Sequence, residues 1–219
     1  MISLKGKGRI RIDAGIGRAG QMIKSGGMAG GVSSSLGRYL GWVPLSPNQI
    51  TVLSVLCAVA GFALFYLGNF WYGFGAFVLA FVLDAVDGAV ARARGETSKL
   101  GGFLDGVSDR LVEFFLLLSL LFIPLGMTFL PDAFWILLVL FFGACMTSFV
   151  KAYANYQGVL SKEEADGMPG FLERGERGAL LMAFMFLLLL NVAYAWVLFA
   201  GIALLSILTF LQRLLFVVK

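Results

Sequence analysis

Histidine is absent from the 219-residue sequence, and cysteine occurs only twice, at Cys57 and Cys145, inside apolar stretches. Zinc sites are built chiefly from imidazole and thiolate ligands. The lack of histidine therefore excludes imidazole metal ligands, Cys/His zinc sites and a histidine general base. A free cysteine in apolar surroundings behaves as a small hydrophobic side chain, and both cysteines are interpreted in this way. Only carboxylates remain for metal binding and proton transfer.

Charged residues are also scarce. They make up 14% of the sequence, whereas hydrophobic residues make up 59% and the mean hydropathy is +0.89. Long apolar runs in such a composition are typical of integral membrane proteins, and the length suits one domain. The basic N-terminal segment lacks a closely following short apolar core and a small-residue cleavage site, so no cleavable signal peptide is expected.

The apolar runs predict an all-α integral membrane protein with six transmembrane helices. The first span, at 50–67, is uncharged, and further spans lie at about 71–84, about 102–123 and about 133–150. The apolar tail from Gly178 onward divides into the fifth and sixth spans at a tight turn near Asn191.

Lysine and arginine are missing from the three loops on one side of this arrangement. All 17 of them fall in the N-terminal segment, in the loops between spans two and three and between spans four and five, and at the C-terminal end. The positive-inside rule then places both termini and the aspartate-rich second loop in the cytoplasm. Because the termini share one side, the number of spans must be even, which supports six helices independently of hydropathy.

Two regions are expected along the chain, a basic glycine-rich tail at 1–32 and a membrane domain at 33–219. The tail is interpreted as flexible and attracted to anionic lipid headgroups. Apolar residues beside Arg38 predict an amphipathic interfacial helix at 33–45, with an ordinary loop as the alternative.

The first span begins with Ser46, Pro47 and Asn48. Serine is a preferred N-cap residue, and proline is favoured in the first helical turn. Asn48 is expected at headgroup level on the cytoplasmic side. There it serves either as part of the cap or as a contact to a phosphate or nucleotide.

Four aspartates interrupt the apolar sequence after the second span. Asp84 and Asp87 are three residues apart, and Asp105 and Asp109 are four apart, so each pair shares one face of a helix. Unpaired carboxylates in apolar surroundings are costly, and four together repel one another unless cations neutralise them. Oxygen-only ligands select hard cations such as Mg²⁺ or Mn²⁺. The stretch therefore predicts a divalent-cation pocket, with structural salt bridges to nearby Arg and Lys as the alternative.

Small residues accompany both acidic faces. Gly88 and Ala91 continue the first face, and Gly101 lies on the second. They leave a hollow beside the carboxylates, which Arg92 closes. Glu113 continues the second face and is interpreted either as supporting the metal ligands or as a buried, hydrogen-bonded acid.

This pattern resembles the complete signature of the CDP-alcohol phosphotransferase family. The matching residues are Asp84-x2-Asp87-Gly88-x2-Ala91-Arg92-x8-Gly101-x3-Asp105-x3-Asp109. The six-helix layout, the interfacial helix and the Ser-Pro-Asn start of the first span are also similar to this family. The resemblance thus covers about residues 33–219.

The resemblance implies a reaction of phospholipid biosynthesis, in which an alcohol attacks the phosphate of a CDP-linked lipid or alcohol and CMP is released. It implies that Asp84, Asp87, Asp105 and Asp109 bind Mg²⁺ or Mn²⁺, as two ions, and that Asp109 also acts as general base on the attacking hydroxyl. Paired cations suit this chemistry, because they neutralise phosphoryl oxygens and orient an in-line attack.

The resemblance also implies the contacts to the nucleotide. Gly88 and Ala91 would let the cytidine and phosphates approach the helix backbone, and Arg92 would hold the diphosphate. The full nucleotide-binding set expected is Asn48, Asp84, Gly88, Ala91, Arg92 and Gly101.

Basic residues predict an acceptor site next to the aspartates. Lys151, Arg174 and Arg177, together with Arg110, are expected to converge there, because arginine binds phosphate oxygens in a bidentate fork. Membrane anchoring is the alternative. The Glu-Arg-Gly-Glu-Arg run at 173–177 resembles the segment of inositol-phosphate-accepting members, which implies inositol phosphate as acceptor. Glycerol phosphate, serine or a CDP-inositol donor stay open.

The reaction is expected at the cytoplasmic face of the cell membrane. The expected partners are a CDP-linked lipid donor, a polar alcohol and the bilayer, with no nucleic acid, and the resemblance implies a homodimer. A divalent-cation transporter is the alternative class. A transporter is expected to carry acids near the bilayer midplane, whereas these aspartates cluster toward the cytoplasmic end.

Overall fold

The computed structural model describes residues 45–127 and 129–219. Within these ranges the chain is all-helical and without strands, as predicted. The helices are α1 (Pro47–Tyr66), α2 (Phe70–Arg94), α3 (Lys99–Ser119), α4 (Asp132–Tyr156), α5 (Lys162–Asp166), α6 (Arg174–Leu189) and α7 (Ala195–Val218). The predicted tail at 1–32 lies outside the described residues, as does the interfacial helix predicted for 33–45 apart from Leu45.

Each of the six predicted spans contains a helix. Among the described residues, four helices, α1, α2, α4 and α7, are long and apolar enough to cross a membrane. The other two differ for identifiable reasons: α3 begins with a charged, glycine-containing half, and α6 is 16 residues long and begins with charged residues. Exposed large apolar side chains on the four apolar helices, such as Leu56, Leu137 and Leu204, suit contact with lipid.

The start of α1 follows its sequence pattern. The Gln49 backbone N–H donates to the Ser46 hydroxyl at 3.4 Å, and the Ser46 N–H donates to the Gln49 side-chain oxygen at 2.8 Å. This reciprocal pair is a capping box, and Pro47 occupies the first turn. The predicted N-cap is confirmed, so the N-terminal end of α1 is fixed by local chemistry.

Two glycines bring α1 and α2 close together. A Cβ atom on Gly73 would lie 2.3 Å from the Phe65 ring, and one on Gly61 would lie 3.0 Å from the Phe77 ring. Each helix therefore places a fully buried phenylalanine over a glycine of the other. Small residues at helix interfaces allow this close approach in membranes, and it sets α2 in a fixed position beside α1.

A short connection joins α2 to α3. Gly95 ends α2 in the left-handed region at φ 66°, where glycine is favoured. Ser98 then caps α3, because its hydroxyl accepts a hydrogen bond from the Gly101 N–H at 2.9 Å. The chain thus reverses within a few residues, and both aspartate pairs lie at the same end of the bundle.

The remaining long helices, α4, α6 and α7, pack against one another. The α4 helix contains a π-helical segment at Val139–Met146. In it, a Cβ on Gly143 would lie 2.9 Å from the Ser206 hydroxyl and 3.1 Å from Arg177 Cδ. Between α6 and α7 the predicted tight turn is confirmed at Asn191, whose φ is 54°. This turn folds α7 back along α6, as shown by the rings of Phe184 and Phe199, whose centroids are 4.7 Å apart.

Candidate active site

Three carboxylates converge where α2 and α3 meet. Asp84 comes from α2, and Asp105 and Asp109 come from α3, and one oxygen of each lies within 4.8 Å of the others. Asp109 is 3% exposed, whereas Asp84 and Asp105 are partly buried. A buried carboxylate needs a nearby cation to offset its lost hydration. The cluster supplies oxygen ligands only, which is the donor set that hard divalent cations prefer.

The fourth aspartate points toward α1 instead. Asp87 is 2% exposed, and its carboxylate accepts a hydrogen bond from the Thr51 hydroxyl. It lies outside the group of three but lines a cavity together with Asp105. Thr51 was not selected from the sequence, because a threonine in an apolar helix carries no signal until its partner on another helix is known.

A cavity of about 220 Å³ lies between the start of α1, the end of α2 and the start of α3. Five of the six residues predicted to bind nucleotide line it, and Asp84 lies outside it in the carboxylate cluster. The five are Asn48, Gly88, Ala91, Arg92 and Gly101. We call this the signature cavity.

Two glycines shape the wall of the signature cavity. A Cβ atom on Gly88 would lie 3.2 Å from the Arg92 guanidinium, and one on Gly101 would lie 3.5 Å from Asn48 Oδ1 and 3.1 Å from Ser98 Oγ. A larger residue at Gly88 would therefore displace Arg92. The small residues leave room for the arginine and the asparagine at the cavity wall.

A second cavity of about 660 Å³ is bounded by α3, α4, α5, α6 and α7, and we call it the basic cavity. All four residues predicted for the acceptor site line it. Two further cations, Lys162 and Arg213, also line it and were not predicted. The six cations are Arg110, Lys151, Lys162, Arg174, Arg177 and Arg213, and the acids beside them are Asp105, Asp109, Asp166 and Glu173.

Arg213 carried a signal that could have found it. It is a charged residue within the long apolar helix α7, and such residues mark functional sites. Its guanidinium donates to the Thr147 carbonyl at 2.9 Å. The charge map counted Arg213 only as part of the C-terminal end, because the cavity becomes visible only when α7 packs against α4.

The cations of the basic cavity differ in their partners. Lys151 pairs with Asp166 of α5 at 3.1 Å. Arg110 donates to the Gly106 carbonyl at 2.6 Å and to the Ser148 hydroxyl at 2.9 Å. These contacts hold the side chains at the cavity wall while leaving nitrogen donors available, because arginine has five N–H groups and lysine three.

Arg177 lies deeper than the other cations. Its guanidinium donates to both carboxylate oxygens of Glu113, at 2.5 and 2.9 Å, and the two residues are 3% and 4% exposed. Glu113 is thus the buried, hydrogen-bonded acid of the two interpretations, and the pair joins α3 to α6 beneath the cavity.

The two cavities meet at Gly102 and Asp105, which line both of them. The carboxylate cluster therefore stands at the junction between a cavity with signature residues and a basic cavity. The bundle thus combines helices of membrane-spanning length with a carboxylate cluster between two cavities. These features define the class of protein as a membrane enzyme with a site for divalent metal.

The chain belongs to the CDP-alcohol phosphatidyltransferase family, whose family model matches residues 44–210. It is therefore a transferase of phospholipid biosynthesis that uses a CDP-linked donor and an alcohol acceptor. It is 34% identical over 179 residues to the archaetidylinositol phosphate synthase of Pyrococcus horikoshii, an alignment that covers 81% of this chain and 86% of that protein.

Solved structures agree with this assignment. The phosphatidylinositol phosphate synthase of Mycobacterium tuberculosis, in complex with manganese and citrate, is 26% identical with a TM-score of 0.66, over 85% of this chain and 89% of that one. The same enzyme with CDP-DAG bound gives 26% identity and a TM-score of 0.62, over 85% and 93% of the two chains. The manganese in the first structure accords with divalent-metal binding by the carboxylate cluster.

Proposed function

We propose that this enzyme transfers a phosphatidyl-type group from a CDP-linked lipid to inositol phosphate and releases CMP. The observation that carries the proposal is the junction of the two cavities at Gly102 and Asp105. A nucleotide in the signature cavity and a phosphorylated alcohol in the basic cavity would meet at the carboxylate cluster. The donor found in the M. tuberculosis neighbour, CDP-DAG, supports a CDP-lipid on the first side.

The donor would be held by the residues of the signature cavity. Arg92 would pair with the diphosphate, since a guanidinium presents several N–H donors to phosphate oxygens. Gly88, Ala91 and Gly101 would allow the nucleotide to lie close to the backbone, and Asn48 would supply a side-chain amide at the start of α1.

The carboxylate cluster is assigned to two ions of Mg²⁺ or Mn²⁺. Asp84, Asp105 and Asp109 would hold metal with their converging oxygens, and Asp87 would complete the set from beside them. When bound, such cations neutralise diphosphate oxygens and favour in-line displacement.

The transfer itself is a displacement at phosphorus. The acceptor hydroxyl oxygen attacks the phosphorus that carries the lipid, the bond from that phosphorus to the CMP oxygen breaks, and CMP departs. Asp109 is assigned to receive the hydroxyl proton, because it faces the basic cavity from within the cluster.

The acceptor is assigned by charge. Six cations line the basic cavity, and an acceptor that carries its own phosphate would pair with several of them, whereas serine would leave most without an anionic partner. Lys151, Arg110, Arg174 and Arg213 reach the cavity surface, and Arg177 would support it through Glu113. The inositol phosphate synthases among the relatives favour inositol phosphate over glycerol phosphate.

The proposal extends to topology and location. With α3 and α6 added to the four apolar helices, residues 33–219 would form one six-span domain, preceded by the basic tail at 1–32. The positive-inside rule places both termini and the carboxylate cluster on the cytoplasmic side of the cell membrane. A homodimer is expected from the family.

A panel of acceptors tests the function directly. Purified protein is given Mg²⁺, a CDP-lipid and, in separate reactions, inositol phosphate, glycerol phosphate, inositol or serine, and CMP is measured. Release of CMP that requires an alcohol, fastest with inositol phosphate, is the expected result. A faster reaction with glycerol phosphate would show that glycerol phosphate, and not inositol phosphate, is the acceptor. Release of CMP that is independent of any alcohol, or uptake of Mn²⁺ into vesicles without release of CMP, would overturn the proposed transfer reaction.

A further inference from the structure

We propose that Arg174 couples the metal site to the acceptor site, by holding either the metal-binding carboxylates or the phosphate of the acceptor, but not both. This inference rests on the proposed function and concerns the order in which the two sites fill. Arg174 is the first residue of α6 and its side chain is 41% exposed.

The first arrangement is the one observed. Arg174 Nη2 donates to Asp84 Oδ2 at 3.1 Å, and Arg174 Nη1 contacts Asp109 Oδ2. One guanidinium thus bridges two of the three clustered carboxylates. A divalent cation binds carboxylate oxygens at 2.0–2.6 Å, so an ion held by Asp84 and Asp109 would lie against the same two carboxylates that the guanidinium bridges. Arg174 and the metal therefore compete.

The packing of α6 brings Arg174 to this position. Gly178 lies one turn after Arg174, and a Cβ atom there would lie 2.8 Å from the ring of Phe81, which precedes Asp84 by three residues on α2. The lack of a side chain lets α6 approach α2 closely. The start of α6 is held in addition by the Leu172 N–H, which donates to the Thr209 hydroxyl of α7 at 3.0 Å.

The second arrangement lies within reach of the same side chain. Arg174 lines the basic cavity as well as a small cavity that contains Asp84 and Asp109. Rotation of the side chain alone would carry the guanidinium from one to the other. A divalent ion carries twice the charge of a guanidinium and repels it, so metal binding should drive Arg174 into the basic cavity, where an acceptor phosphate can receive it.

The coupling is reciprocal by thermodynamic necessity. If metal releases Arg174 for the phosphate, then a phosphate that retains Arg174 must strengthen metal binding. The acceptor site would consequently be incomplete until the metal site is filled, so the acceptor would bind tightly only after the metal.

Binding of Mn²⁺ provides a test that does not depend on turnover. Free Mn²⁺ is measured by EPR with purified protein in detergent, with and without inorganic phosphate, and protein-free samples correct for chelation by phosphate. Replacement Arg174→Gln should lower the Kd for Mn²⁺ by roughly 5- to 150-fold, the range typical of coupling between sites. Phosphate should tighten Mn²⁺ binding to the unaltered protein and have no such effect on the variant.

Two further variants separate direct competition from general charge. Lys162→Gln removes one positive charge from the same cavity and should change Mn²⁺ affinity much less than Arg174→Gln does. Arg174→Lys keeps the charge and should restore part of the competition. Unchanged or weaker Mn²⁺ binding by folded Arg174→Gln would overturn the coupling while leaving the metal site intact. Failure of the unaltered protein to bind Mn²⁺ would overturn the metal site and the coupling together.

Discussion

Arg177 and Glu113 form a buried, two-point ion pair that links α6 to α3, with N–O distances of 2.5 and 2.9 Å. Both residues lie directly under the basic cavity, and Gly143 of the π-helical segment packs against the Arg177 side chain. Loss of one partner would leave the other charge buried without compensation. Removal of one partner alone should therefore destabilise the protein more than removal of both.

Glu113→Gln should destabilise the protein by about 3–5 kcal/mol, the usual cost of breaking a buried ion pair from one side. Thermal unfolding in detergent measures the effect. The exposed Glu163→Gln change on α5 is a matched control and should stay within about 0.5 kcal/mol. Replacing both partners with apolar residues, Glu113→Leu and Arg177→Met, should recover much of the loss. An equally unstable double variant would contradict this account.

Asp105→Asn should lower kcat/KM for CMP release by at least about 100-fold, since it removes a charged ligand from the proposed metal site at the junction of the cavities. The variant should remain folded, as judged by size-exclusion chromatography and circular dichroism. Asp132→Asn provides the control, because this aspartate accepts a hydrogen bond from the Leu125 N–H at 2.8 Å and lies outside both cavities. Full activity of Asp105→Asn would remove this residue from the site.

Lys151→Gln and Arg213→Gln should each raise the KM for the acceptor by roughly 10- to 100-fold, the value of a charged hydrogen bond, and should change the KM for the donor much less. Steady-state kinetics with each substrate varied in turn measures the two effects. Arg94→Gln removes a positive charge from the end of α2, outside both cavities, and should leave the acceptor KM near its original value. Equal effects on both substrates would favour membrane anchoring over acceptor binding.

Gly88→Ala should weaken donor binding, because the added methyl group would lie 3.2 Å from the Arg92 guanidinium and would shift it. We expect a higher KM for the CDP-lipid, with little change in stability. Gly75→Ala on the same helix is the matched control, since no atom of residues 45–127 or 129–219 lies within 4 Å of the added Cβ atom. It should leave the KM unchanged and, as alanine favours helix over glycine, should not lower the melting temperature. Identical KM values for the two variants would contradict the proposed contact between Arg92 and the donor.

The sequence predicted those features that depend on residues close together in the chain. The Ser46 cap, the turn at Asn191 and the aspartate pairs of α2 and α3 each follow from spacing or from the conformational preference of one residue. The signature cavity is mostly of this kind, since the short connection between α2 and α3 brings most of its wall together.

Features that depend on packing between distant segments could not be predicted in the same way. Arg213 meets Thr147 across 66 residues, and Thr51 meets Asp87 across 36. The bridge from Arg174 to Asp84 spans 90 residues. The helical repeat predicts on which face of its helix a residue lies. The packing of the whole bundle decides which other helix lies against that face. The basic cavity was therefore predicted with four of its six cations.

The position of Asp105 and Gly102 has a stereochemical consequence. Nucleotide and alcohol would reach the phosphorus from opposite faces, because each fills its own cavity and the two cavities share a single wall. Attack from the face opposite the departing group inverts the configuration at phosphorus. A chirally labelled thiophosphate donor should accordingly yield product of inverted configuration, and no covalent phosphoryl-protein species should form along the way.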